Sequence, residues 1–591
     1  MSAIAIAAGA LALSATAGAG DWVRYGGDAQ VTNDVPSVQA PDFQVAAASQ
    51  LQVRWTSHLD GSVVASPLYA ENVSVDGQTE NVVYATTEAG SVYALDARTG
   101  AILWQRQFGE QATTCDEAQA GVDADYGFAS TGVIDRSRNA LYVIGGQGQL
   151  YGLDLGTGQT LPNWPLQVTD DPTGEYVWGG LTMVGSLIYV PIGSYCDVPG
   201  AGGLFANGGL VAVDVESAST VGRFDVVPGE HDLGSIWGWG GASVDPYTGN
   251  LWVATGNSYL YDNSCGCISQ TAGYAESVVE LDSSLNVIAS DRPQDVPGEN
   301  DDADFGSTPL LFQPPGCPPY AAAYNKNGEL YVWRRDDLTG GPIWSFHAGP
   351  SDITNAFVGE PSYSPELNML VVADARTYDE DGAIVHFDAV TGFAIGPGCS
   401  LPSAPTWIAP DVGRGPKAPA LFVGDLAFVV GGLVPGIYAL DATTGAIAWS
   451  QQLGGPVLAP PSFGGDQVYV GDTAGGLFAI GVGPTPPPPP PPPPPVTLVA
   501  GKVTFSSPRA GKLLTATMTV TSGGKAVSGT VGCPGKLAGR PLRVVRHGTV
   551  RSRATCAWAV PATAHGKRFT GSIAVIYELA RISRSFSARV G

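Results

Sequence analysis

The stretch VYALDARTGAILW, Val92–Trp104, decides the fold of this 591-residue chain. An alternating strand ends in an aspartate, the turn Ala-Arg-Thr-Gly reverses the chain, and a second strand closes on a tryptophan. The Asp can accept turn amides, and the Gly can supply a positive φ. The phrase returns as LYGLDLGTGQTLPNW (Leu150–Trp164), LVAVDVESASTVGRF (Leu210–Phe224) and VVELDSSLNVIA (Val278–Ala289). It comes again as LYVWRRDDLTGGPIW (Leu330–Trp344), IVHFDAVTGFAI (Ile384–Ile395) and IYALDATTGAIAW (Ile437–Trp449), and ends in a truncated LFAIGVG (Leu477–Gly483). Eight copies lie about 40–70 residues apart, a period that points to propeller blades. A further short strand precedes most copies, as at Ala140–Ile144 and Gln467–Gly471. The last copy lacks its outer strand. LQVRWTSHL, Leu51–Leu59, supplies one, with Trp55 as its docking tryptophan, so the first strand closes the ring and removes two open edges.

The expectation is an all-β, eight-bladed propeller over residues 21–483. Composition agrees: 79 glycines, 46 prolines and 14% charged residues suit short strands and turns. Residues 484–495 form a proline-rich linker whose ten prolines, Pro486–Pro495, would span ~31 Å as a polyproline helix. Residues 496–591 alternate as strands and read as a basic Ig-like β-sandwich, with Cys533 and Cys556 bridged across it. Residues 1–20 are apolar and small, with an exit at Ala15-Thr16-Ala17 or Ala17-Gly18-Ala19, and resemble a signal peptide without a basic start. The protein is therefore expected to be secreted or at the cell surface, beginning between Gly18 and Asp21. No other apolar run reaches the length of a membrane span. Eight cysteines suit disulfides in an oxidising compartment, and Cys115 with Cys196 is the pairing expected in the body.

Charge is split along the chain. From Val496 onward fifteen Lys/Arg face one acid, Glu578, for +14; the rest carries −39, and the whole −25. An acidic body disfavours nucleic acid as a ligand. The basic tail suits an anionic cell-envelope polymer or the propeller itself.

The AxDxxTGxxxW repeat, with the opening DWVRYGGDAQ at Asp21–Gln30, resembles that of the quinoprotein, or PQQ-like, β-propellers. SIWGWGGASVDPYTGNLWVATGNS, Ser235–Ser258, is similar to the quinoprotein alcohol dehydrogenase segment that supplies an aromatic floor under PQQ and an Asn ligand to calcium. The resemblance implies Trp237 as that floor and Asn257 as the ligand. A flat quinone needs a planar partner, and calcium wants hard oxygens. NDDADFGSTPLLF, Asn300–Phe312, resembles the segment carrying the catalytic Asp, which implies Asp304 as general base beside the metal, with Asp302 a second candidate. NKNGELYVWRR, Asn325–Arg335, places Lys326 where the family has a basic residue facing the quinone oxygens. In VPIGSYCDVPG, Val190–Gly200, Asp197 is the candidate for the remaining metal carboxylate.

Each of these has a plainer reading. Trp237 and Trp239 could be packing between blades, Thr255-Gly256-Asn257 a turn, Asp304 one charge of an acidic loop, and Lys326 a solvated turn residue. The vicinal cysteines common in this family are absent, with Cys265-Gly-Cys267 the nearest approach. There is no CxxCH haem site, so electrons would leave through a separate acceptor. YCDVPG and Thr113–Asp135 look more like secreted PQQ-repeat proteins of undefined activity. Two readings stay open: an exported PQQ- and calcium-dependent dehydrogenase acting on an alcohol, polyol or sugar, or a non-catalytic envelope propeller that binds protein or glycan.

Overall fold

A computed structural model describes residues 20–112, 125–194, 197–229, 232–262, 267–269, 271–294, 303–347, 359–378, 384–410, 412–415, 418–483, 497–527, 529–550, 553–577 and 580–591. The leader, the proline run, Asp302 and the expected Cys115–Cys196 pair lie outside the described residues. The chain divides into two compact units, Met1–Pro488 and Pro489–Gly591.

In the first unit a four-stranded antiparallel core recurs eight times among the described residues; the third sheet adds Glu175–Tyr176 and the seventh adds Asp34–Val35 in parallel. The first is Leu68–Val75, Gln78–Thr86, Ser91–Asp96 and Ile102–Gln107. The third contains Leu187–Ser194, the fourth Leu251–Ala254, and the fifth Leu310–Phe312, Tyr320–Tyr324 and Glu329–Arg334. Burial grades across each sheet: Ala140–Ile144 is buried throughout, whereas the fourth strand of the first sheet leaves Ile102 44% exposed. The eighth sheet is built from both ends of the unit. Leu51–His58 pairs antiparallel with Gly476–Val482, as the truncated last repeat requires.

The repeated phrase is a lock between sheets. Asp96 Oδ1 accepts the amides of Arg98 and Thr99, each at 2.9 Å, and Gly100 turns the chain at φ +72°. Trp55 of the eighth sheet then donates its indole N–H to Ala97 O at 2.8 Å. Trp104 does the same to Leu155 O (3.0 Å), and Trp407 to Ala442 O (3.0 Å). In each case the acceptor follows the turn aspartate of the next sheet. The turn glycine lies under the incoming indole: a Cβ on Gly100 would stand 2.5 Å from Trp55, one on Gly158 2.6 Å from Trp104, and one on Gly445 2.4 Å from Trp407. The Asp, the Gly and the Trp thus belong to one joint repeated around the unit.

The stretch before the first sheet is a strap. Trp22 bridges Tyr69 of the first sheet, and Val23 O accepts Ile134 N of the second (2.8 Å). The Arg24 guanidinium donates to Met183 O of the third. Ala29, Gln30, Thr32 and Asn33 carbonyls accept Val244, Leu311, Tyr363 and Phe422 amides of the fourth to seventh sheets, at 2.7–3.1 Å. Phe43 packs edge-on to Phe463 of the eighth at 5.4 Å. Each of the eight sheets is touched, in sequence order.

The second unit holds two antiparallel sheets, one centred on Leu513–Ser522 and Arg553–Ala559, the other on Arg568–Tyr577 and Ala580–Arg589. Trp558, Phe569, Ile573 and Leu514 fill its core. The expected Cys533–Cys556 disulfide is present, with Cα atoms 5.7 Å apart. A second disulfide, Cys317–Cys399, joins the fifth and sixth sheets of the first unit.

Candidate active site

In an antiparallel sheet the start of the first strand, the end of the second and the turn to the third lie at the same end. Five segments meet at that end of the third, fourth and fifth sheets. Ser194 ends Leu187–Ser194, with Asp197 three residues on, and Ser235–Gly241 precedes the fourth sheet. Thr255–Ser258 follows Leu251–Ala254, Ala303–Ser307 precedes Leu310–Phe312, and Asn325–Gly328 turns between Tyr320–Tyr324 and Glu329–Arg334.

Backbone bonds knit these segments before any side chain acts. Phe305 N donates to Thr255 O at 3.2 Å, Lys326 N to Asp304 O at 2.9 Å, and Gly256 N to Ser235 O at 2.7 Å. The Asn325 side chain donates to Ala303 O at 2.8 Å and accepts Asn327 N at 2.8 Å, which shapes the Asn-Lys-Asn-Gly turn. Lys326 is thereby aimed inward rather than into solvent.

Asp304 is the centre. Its Oδ2 accepts Lys326 Nζ at 2.5 Å, and its Oδ1 accepts the Asn257 backbone amide. A buried ion pair is tolerable only when further hydrogen bonds satisfy its remaining lone pairs, and the Asn257 amide does this. Gly256 brings the aromatic partner close: a Cβ there would stand 2.6 Å from Asp304 Oδ1 and 2.8 Å from Trp237 Nε1. Trp237 and the side chain of Asn257 are both buried. Asp197 adopts φ +50° and accepts the Ser194 hydroxyl, and Ser194 N is fixed by Ser235 Oγ at 2.8 Å. Burial first, then the charge of Asp304, pushes the Asp197 carboxyl above its ordinary range, while Ser194 and Lys326 pull it down. Asp197 therefore lies within electrostatic reach of both members of the ion pair.

All five expected residues, Asp197, Trp237, Asn257, Asp304 and Lys326, are thus drawn into one region of the third to fifth sheets. Asp304 does not lie in a solvated acidic loop, nor Lys326 in a solvated turn. Lys326, read from the sequence as facing a quinone, here gives its ammonium to Asp304. Glu276 went unnoticed in the sequence, because GYAESVVE has no motif spacing. Its backbone amide donates to Gly256 O at 3.0 Å, and its carboxylate pairs with Arg292 at 3.0 Å. Burial, with a contribution from Asp304, pushes Glu276 up to about 8 against the pull of Arg292.

The family described as outer membrane protein assembly factor BamB (PQQ_2) matches residues 25–221 and 398–482. Quinohemoprotein alcohol dehydrogenase ADHIIG from Pseudomonas putida HK5 superposes with a TM-score of 0.61 at 18% identity, covering 83% of each chain. The first unit has the PQQ-like β-propeller fold. A europium-containing methanol dehydrogenase shares the fold at a TM-score of 0.59 and 16% identity, over 79% of this chain and 98% of that one. By sequence, the chain is 24% identical over 362 residues to a polyvinylalcohol dehydrogenase of a Pseudomonas species, 54% of this chain and 52% of that one. It is 26% identical over 288 residues to quinohemoprotein alcohol dehydrogenase ADH-IIG of Pseudomonas putida, 43% of this chain and 35% of that one. The match therefore spans about half the length of the first relative or less.

Proposed function

We propose that the PQQ-like propeller is a dehydrogenase that binds PQQ and calcium and oxidises an alcohol, polyol or sugar. One observation carries the reading: a buried carboxylate, Asp304, has one oxygen on an ammonium and the other on a backbone amide, with an indole against the same glycine. Inter-blade packing alone does not call for a buried ion pair, which costs desolvation free energy.

The residues present suit the cofactors. Asp197, Asn257 and Asp304 offer two carboxylates and an amide, the hard oxygen donors that calcium takes. Among the described residues, no group of three or more His, Cys, Asp or Glu stands at metal-binding spacing, so this set depends on Asn257. The mutual repulsion of Asp197 and Asp304 is what a divalent cation would relieve. Trp237 offers the flat face on which a quinone would stack.

When bound, PQQ supplies the two-electron acceptor for the hydride from the carbinol carbon. Asp304 takes the hydroxyl proton as general base. Lys326 offsets the charge of Asp304 and would be the donor toward the quinone oxygens were PQQ bound. Asn257 holds Asp304 through its backbone and offers its side-chain oxygen to the metal. Electrons leave to a separate acceptor, since the chain has no CxxCH motif. Residues 1–20 direct export, and the fifteen Lys/Arg after Val496 hold the protein on an anionic envelope polymer.

The test is reconstitution with PQQ and calcium, followed by calorimetry and a dye-linked screen of alcohols, polyols and sugars. Stoichiometric uptake with dye reduction supports the reading. No uptake of PQQ in the presence of calcium overturns it.

A further inference from the structure

Glu360 has no part in the chemistry above, yet it is 1% exposed and, among the described residues, no cation pairs with it. Its three partners come from three separate segments. Oε1 accepts Trp239 N at 2.6 Å and Thr308 N at 2.7 Å, and Oε2 accepts the Tyr25 hydroxyl. Trp239 is two residues from Trp237, Thr308 four from Asp304, and Tyr25 belongs to the strap.

The two loops joined at Oε1 also touch directly. Gly240 N donates to Thr308 Oγ1 at 2.8 Å, and a Cβ on Gly238 would stand 2.3 Å from Thr308 N. A Cβ on Gly240 would meet the Tyr25 ring at 2.4 Å. Trp-Gly-Trp-Gly-Gly, residues 237–241, is therefore glycine-rich because a second backbone and a strap tyrosine press against it. One oxygen with two peptide donors fixes the spacing of two chains more tightly than either contact alone, because a shift of either chain strands a buried amide. Burial pushes the Glu360 carboxyl up to about 7 against the pull of Tyr25, Thr308 and Trp239. An apolar residue would avoid that cost but could not bridge the amides.

We infer that Glu360 is a positioning residue: it sets the register between the loop carrying Trp237 and the segment carrying Asp304, so that the stacking indole and the base face one bound molecule. Its consequence for the quinone rests on the proposed function; its consequence for the two loops does not.

Glu360→Gln, Glu360→Asp and Glu360→Leu in the full chain test it. Gln keeps a carbonyl for both amides and offers its NH2 to the Tyr25 oxygen. Asp keeps the charge but draws it back by one methylene. Leu removes the acceptor. Amide hydrogen exchange is measured on residues 238–241 and 305–308 of the unliganded protein, and PQQ affinity by calorimetry with calcium present. The expected result is faster exchange in both segments together for Leu and Asp, wild-type exchange for Gln, and PQQ binding weakened about ten- to hundredfold by Leu and Asp and restored by Gln. Should Leu fail to fold, Asp against Gln gives the same contrast. Unchanged exchange in Asp, or loss in Gln equal to that in Leu, overturns the assignment. A wild type that binds no PQQ overturns the proposed function, while hydrogen exchange still decides whether Glu360 sets the register.

Discussion

Lys326 Nζ lies 2.5 Å from Asp304 Oδ2, and the two side chains are 4% and 1% exposed. Removing either charge leaves the other buried without this counter-charge. Lys326→Met should therefore cost about 3–5 kcal/mol of stability, the usual result of stranding one partner of a buried pair. Urea unfolding of the first unit measures it; a loss under about 1 kcal/mol, the range of an exposed pair, would mean that the pair is solvated.

Asp304→Asn tests the general base, and its cost in stability through the lost counter-charge of Lys326 is read separately by urea unfolding. The amide can still accept the Asn257 backbone N–H but cannot take a hydroxyl proton. Dye-linked turnover is expected to fall about 10²–10⁴-fold with PQQ still bound. Asn257→Ala should instead weaken calcium, with rescue by added metal, and Trp237→Ala should weaken PQQ. Retained turnover in Asp304→Asn sinks the general-base role.

The joints between sheets give a prediction independent of any cofactor. Trp104→Ala removes a buried indole and its bond to Leu155 O, and should cost about 3–5 kcal/mol. Gly100→Ala should also destabilise, because the position has φ +72° and a Cβ would run into Trp55. Thermal melting checks both, and a neutral Gly100→Ala would contradict the packing described.

Stability should depend on pH through buried acids. Glu360 and Asp34 are both raised to about 7, in each case chiefly by burial. The folded state then binds more protons than the unfolded chain between the ordinary carboxylate range and pH ~7, so stability falls as pH rises across that window. Melting curves from about pH 4.5 to 7.5 test this, and Glu360→Gln should flatten part of the slope. A wild-type slope of the opposite sign would show that other groups dominate.

The Cys317–Cys399 bridge closes a separation of 82 residues. Replacing both by Ala should lower stability by about 2–4 kcal/mol. Denaturant unfolding of the double variant reads the loss directly, and an unchanged midpoint would show that sheet packing alone fixes these loops.

Much of the fold was legible because the propeller repeats its own grammar. Asp96, Gly100 and Trp104 recur in phase, and a truncated final copy announces that Leu51–Leu59 must complete it. What each letter does was less visible. That Gly100 serves the incoming Trp55 as well as its own turn depends on a contact between residues far apart in the chain. The site residues were legible only through resemblance, since nothing in Asn-Lys-Asn-Gly says that Lys326 turns inward. Glu276, Glu360 and the Cys317–Cys399 pairing had no local signal, because their partners are set by which loops the ring brings together. The second unit read as Ig-like; the structure gives two antiparallel sheets and the Cys533–Cys556 bridge.

The strap places a constraint on how the propeller can be made. Residues 22–43 leave the ribosome before any of the eight sheets is complete, yet their contacts run in order through all eight, the last of them at Phe463. The strand that follows, Leu51–His58, has its partner at Gly476–Val482. Leu51–His58 must therefore wait, unpaired with Gly476–Val482, for almost the entire propeller to be synthesised, and contacts of such separation are slow to form. A nascent chain halted in the middle sheets carries a strap with half its anchors missing and an edge strand with no mate, the condition under which unfinished β-proteins associate with one another. Maturation is thus gated by the final repeat: translation must reach Val482 before Leu51–His58 has a place to go.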